Sequence, residues 1–163
     1  MIFGSAKHKG KLEPVLDSEF EALLHDQSKS IEGDIAWSED EDHSPSVEFS
    51  APVENAAGYP LYVKASYNGS ALTLTMALIN PAAGRIYALD LGKDHHNPQC
   101  DYVGRRHKHQ WTEKYRDKQA YAPEDITADV SNPVVVWEQF CTEANICHRG
   151  RLSAPPARQL EMF

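Results

Sequence analysis

Two runs of strict alternation constrain this chain more than any other feature. Leu61, Val63, Ala65 and Tyr67 alternate with Tyr62, Lys64 and Ser66; beyond Asn68-Gly69, Leu72, Leu74, Met76 and Leu78 alternate with Thr73, Thr75 and Ala77. Successive strand side chains point to opposite faces, so both runs read as strands. Asn-Gly between them predicts a tight hairpin, because both turn positions need positive φ. Residues 80–84, Asn-Pro-Ala-Ala-Gly, make a second turn. Residues 85–91 then return as a third strand with Tyr87, Leu89 and Leu91 on one face. The expected result is an antiparallel meander.

Elements on either side complete an α+β expectation. Ser18 and Glu21 have capping-box spacing, and Leu16, Phe20, Leu23 and Leu24 recur at helical intervals, predicting a helix that fades near residues 28–30. Residues 33–38 form a short strand through Ile35 and Trp37, and Val47 and Phe49 alternate with polar neighbours in another. Ser131-Asn132-Pro133 opens a second helix, whose Trp137, Phe140, Cys141 and Ala144 share one face, with Gly150 past its end. The expected fold is an antiparallel sheet of about five strands, with an N-terminal and a C-terminal helix packed on one face. Its 163 residues suit a single domain with a real core, with residues 1–13 and 152–163 as flexible ends.

No apolar run reaches the roughly 20 residues that span a bilayer, and the basic N-terminus lacks the apolar stretch of a secretory signal. The expected location is the cytoplasm, with no membrane partner. Cys100, Cys141 and Cys147 are an odd number with no redox or common zinc spacing, so a disulfide framework is not expected. The formal net charge of −8 argues against a dedicated duplex-DNA binder. Residues 91–120 run against that balance, with seven Lys or Arg against four acids. A basic patch on an acidic body suits an anionic ligand such as a phosphate group; a solvated loop with scattered charges is the plainer reading. The acidic run Glu39-Asp40-Glu41-Asp42 reads most simply as a self-repelling surface loop.

Four of the eight histidines, His95, His96, His107 and His109, lie in this basic stretch. In an extended segment His107 and His109 point the same way. Three readings compete. In the first, His107 and His109 act as base and acid on a phosphodiester, supported by His96, since imidazole titrates near neutrality. RNA would supply its own 2′-hydroxyl as nucleophile. Arg105 and Arg106 would bind phosphate with help from Lys118, and Trp111 and Tyr115 would stack on bases. No metal or other cofactor is needed. In the second, His96, Cys100, His107 and His109 hold zinc, although their spacing matches no standard signature. In the third, the histidines are structural.

The run Asp90-Leu91-Gly92-Lys93-Asp94-His95-His96-Asn97-Pro98, followed by Arg106-His107-Lys108-His109, resembles the TumE family of bacterial toxin–antitoxin toxins and a related group of small uncharacterised bacterial proteins. In those proteins a sheet strand leads into a histidine pair, and H-x-H follows. Asp117-Lys118-Gln119-Ala120-Tyr121 matches a downstream feature of the second group. The likeness covers about residues 85–121, and Asp94 stands where those families carry proline. It implies a toxin-like protein acting on RNA, with His96, His107 and His109 in its site and an antitoxin as partner. The expectation is therefore a ribonuclease-like toxin or nucleic-acid-processing protein of a mobile element. The rival expectation is an acidic binding protein, for example an inhibitor of a host nucleic-acid enzyme, with the histidines structural or zinc-binding.

Overall fold

In the computed structural model, residues 17–92, 106–110, 120–121 and 126–156 are described. The elements run α1 (Asp17–His25), β1 (Lys29–Glu32), β2 (Ser38–Glu39), β3 (Val47–Val53), β4 (Leu61–Asn68), β5 (Thr73–Asn80), β6 (Gly84–Leu91), β7 (Arg106–Gln110), β8 (Ala120–Tyr121), α2 (Pro133–Ala144) and β9 (Ile146–Arg149). The fold is α+β. Strands β2 to β8 form one antiparallel sheet in sequence order, seven strands rather than about five. The five longer strands are its centre, and a two-residue strand extends each edge. A separate parallel ribbon, β1 with β9, was not expected.

Strand pairing sorts the side chains onto two faces. On the apolar face Phe49, Ala65, Met76 and Leu89 stand in one row across β3 to β6, and Ala51, Val63, Leu78 and Tyr87 in the next. Helix α2 lies against this face: Trp137 meets Phe49 edge-on at 5.3 Å, and Phe140 stacks on Tyr87 at 5.5 Å. Phe20, Leu23 and Leu24 of α1 join the same core. On the polar face the corresponding row is Glu48, Ser66, Thr75, Asp90 and His107.

Several boundaries differ from expectation. Helix α1 stops at His25, and the Lys29 ammonium donates to the carbonyls of Leu23, Leu24 and Asp26, satisfying groups that a helix end leaves open. Residues 33–38 are mostly not a strand; Ile35 makes a lone bridge to Leu152. The Asn-Gly hairpin is longer than two residues. Asn68 ends β4, its side-chain oxygen accepts the N–H of Ser70 and Ala71, and Leu72 takes the positive φ, at 57°. Helix α2 ends at Asn145 in the left-handed conformation, well before Gly150, and β9 follows at once. The end expected to be flexible from residue 152 is anchored at its start: Leu152 is buried, and Ser153 accepts the Trp37 indole N–H at 2.9 Å. The acidic run is exposed apart from Asp40, which turns back to His43. Residues 1–13 lie outside the described residues.

Candidate metal centre

The site follows from the register of β6 and β7. Asp90 pairs with His107, and Ala88 pairs with His109. His107 and His109 are two apart on one strand, so both imidazoles reach the polar face, as the H-x-H spacing predicts. Lys108, between them, projects to the opposite face, forms an ion pair with Glu143 of α2 and lies 5.9 Å from the centre of the Tyr87 ring. The strand is thereby held from behind while its histidines face the other way.

The two rings sit 5.0 Å apart, nearly perpendicular, and share one carboxylate. Asp90 Oδ2 lies 3.0 Å from His109 Nε2 and 3.3 Å from His107 Nε2. The other oxygen, Oδ1, accepts the Thr75 hydroxyl at 2.5 Å. Asp90, His107 and His109 are all buried, at 6%, 2% and 4% exposure. Burial pushes the Asp90 carboxyl up, but hydrogen bonds from His107, His109 and Thr75 outweigh it and hold the group well below the usual carboxylate range. An ionised carboxylate therefore stands between two imidazoles inside the protein.

One ligand atom from each of Asp90, His107 and His109 lies within 4.8 Å of the others. Around a tetrahedral zinc ion, with bonds near 2.0–2.1 Å, ligand atoms are separated by about 3.3 Å. The two separations to Asp90 Oδ2 are of that size. Two histidines and one carboxylate are also a donor set that first-row divalent cations accept with coordination positions to spare. Thr75 is the outer partner that orients the carboxylate.

Of the expected site residues, the structure brings together His107 and His109. His96, Cys100, Arg105, Trp111, Tyr115 and Lys118 lie outside the described residues. Arg106 is a correction. It pairs with Leu91, so it points to the apolar side, where its guanidinium donates to the carbonyls of Ile126 at 2.9 Å and Ala128 at 3.0 Å. It ties the segment before α2 to β7 and is turned away from the histidines. Sequence reasoning missed Asp90 and Thr75 as members of the site. The available signal was an acid at position 90 inside the otherwise apolar run of residues 86–91.

Among the described residues no helix is long and apolar enough to cross a membrane. Cys141 is buried and Cys147 exposed, both free thiols. A family model described as a family of unknown function (DUF6978) matches residues 16–146. No curated protein and no solved structure gives a significant match to the chain.

Proposed function

The chain belongs to the DUF6978 family, and we propose that it is a metal-dependent enzyme that processes phosphodiester bonds in RNA, with a divalent cation, zinc foremost, held by Asp90, His107 and His109. The convergence of these three buried ligand atoms on one spot carries the reading. A cation held by these residues would supply an activated water near neutral pH and a positive charge against that developing on phosphorus. This ligand set shares His107 and His109 with the set His96, Cys100, His107 and His109 that residue type suggested, and His96 and Cys100 lie outside the described residues. The RNA substrate is supported by the TumE likeness of residues 90–98 and 106–109; of the seven cations of residues 91–120, Arg106 and Lys108 are engaged elsewhere. That likeness leads toward a toxin role with an antitoxin partner.

A second reading keeps the centre free of metal. Asp90, held ionised, accepts the Nε2–H of His109 and orients both rings, and the histidines exchange protons with the substrate. The two readings part on one experiment. The purified protein is stripped with EDTA and titrated with zinc, following binding and thermal unfolding, and mixed-sequence RNA is offered in both states. The metal reading expects zinc to bind and stabilise the protein, by about 2.7 kcal/mol at a hundredfold excess over its Kd. It expects cleavage only in the loaded state, and expects His107→Ala/His109→Ala to abolish both. Cleavage that survives EDTA and vanishes in the double variant selects the metal-free reading. A protein that binds no zinc and cuts no RNA overturns both.

A further inference from the structure

The β5–β6 ladder has one irregularity, and it turns a cation onto the face that carries the centre. Leu78 pairs with Tyr87, but Ile79 pairs with Arg85, so Ile86 is an extra residue. Without that bulge Arg85 would share the parity of Tyr87 and Leu89 and point into the core. With it, Arg85 joins Ile79 on the polar face, the face of Asp90, His107 and His109. Bulges recur beside active sites for this kind of re-aiming.

A second cation stands on the same face. Lys64 of β4 is exposed and stands in the row Ser50, Lys64, Ala77, Ala88, His109. Two alanines in succession keep the sheet surface low between the lysine and the histidine. Beside them opens a depression of about 340 Å³ lined by Lys64, Ser66, Thr75, Ile79, Arg85 and Asp90. It reaches the carboxylate of the proposed metal centre at one side and two cationic side chains at the other. Lys64 is two strands and one row from Asp90, roughly 12 Å at ordinary strand spacing and rise, the scale of one to two nucleotides.

We infer that this depression is a phosphate subsite: Lys64 and Arg85 bind the backbone phosphate next to the bond that is processed at Asp90, His107 and His109. The chain carries a net charge of −8, so it repels a polyanion at long range. Productive binding then needs local cations aimed at the working face. Arginine suits the role because its guanidinium has five donors and engages phosphate while keeping a protein contact. Ser66 adds a hydroxyl on the same wall. The inference rests on the reading that the Asp90 cluster is the reaction centre, but its test does not depend on turnover.

The test is fluorescence anisotropy of a labelled mixed-sequence oligoribonucleotide in EDTA, with inorganic phosphate as competitor. Lys64→Gln and Arg85→Gln are compared with the unaltered chain, and zinc affinity is measured on each. Lys64 is exposed, so its variant isolates the charge even where Arg85→Gln disturbs the bulge; Arg85→Lys serves as the folded control for the second site. The expected result is a loss of RNA affinity of about tenfold or more for each glutamine variant, a shallower salt dependence and unchanged zinc affinity. Equal RNA affinity in Lys64→Gln and the unaltered chain overturns the inference, as does an unaltered chain that binds no RNA. Zinc binding without RNA binding sinks the subsite and spares the metal centre. Lysine- and arginine-dependent RNA binding without zinc binding does the reverse.

Discussion

Thr75 donates its hydroxyl to Asp90 Oδ1 across the β5–β6 pair, leaving Oδ2 for the two histidines. The carboxylate is thus oriented from the β5 side, across the strand pair from β7. Thr75→Val keeps the shape and removes the donor. Outer-sphere partners of this kind are worth about 10- to 100-fold in metal affinity. Zinc titration should show a loss of that size in Thr75→Val, with most of it recovered in Thr75→Ser. Equal affinity in all three proteins would show that the hydroxyl has no positioning role.

Asp90 makes stability depend on acid. Its folded-state carboxyl lies below the ordinary value, so the unfolded chain takes up the proton first. The stabilisation is fully present above the unfolded value near 3.9 and is lost as pH falls toward the folded one. In the metal-free protein Asp90→Asn should cost about 2–3 kcal/mol at neutral pH. Urea unfolding should show that gap narrowing below about pH 4. A gap that is constant down to pH 2 would mean that the carboxylate charge contributes nothing.

Leu72 carries a positive φ on an exposed turn, and Gly92 sits against it. A Cβ on Gly92 would stand 2.2 Å from the Leu72 carbonyl oxygen, and Gly92 itself has φ of +85°. Gly92→Ala should therefore destabilise the protein by about 2–4 kcal/mol through a backbone clash and strain. Leu72→Gly removes the strain of the left-handed residue and should stabilise by about 1 kcal/mol. Thermal unfolding checks both, and a Gly92→Ala variant as stable as the unaltered chain would contradict the packing of this turn.

Lys29 is a buried cation with a structural task. Its ammonium is pushed down to about 8 by burial, against the pull of Asp26. Lys29→Met leaves the carbonyls of Leu23, Leu24 and Asp26 without this donor. The expected cost is about 2–4 kcal/mol, read from urea midpoints at pH 7. A loss below about 0.5 kcal/mol would mean that water replaces the lysine at little cost.

The histidine pair was legible because period two needs no knowledge of the partner strand. His107 and His109 share a face wherever β7 pairs. Asp90 was not legible as their partner, because that depends on register between β6 and a strand beginning at Arg106. Arg106 was assigned to phosphate by composition alone, although its parity, opposite to that of His107, already separates it from the pair. Arg85 fails in the other direction: parity places it in the core, and only the extra residue at Ile86 brings it out. The meander from Leu61 to Leu91 was readable from alternation, but the turn type was not. Asn68 works there as a side-chain cap at a strand end, and Leu72 accepts the strained conformation. Strands β1 and β9 have four residues each and pair with one another at long range, too short a pattern to announce itself.

That pairing also orders events during synthesis. The strands of the meander follow one another closely in the chain, so they find neighbours as they emerge. Glu32 must wait for Arg149, 117 residues later, and Lys29 for Ile146. The segment that α1 and β1 contribute to the core is thus the first of the described residues to be translated and among the last to gain its strand partner. A nascent chain halted before residue 146 would hold the sheet's strands but leave the edge of β1 unsatisfied, a surface open to chaperones or to pairing with another chain.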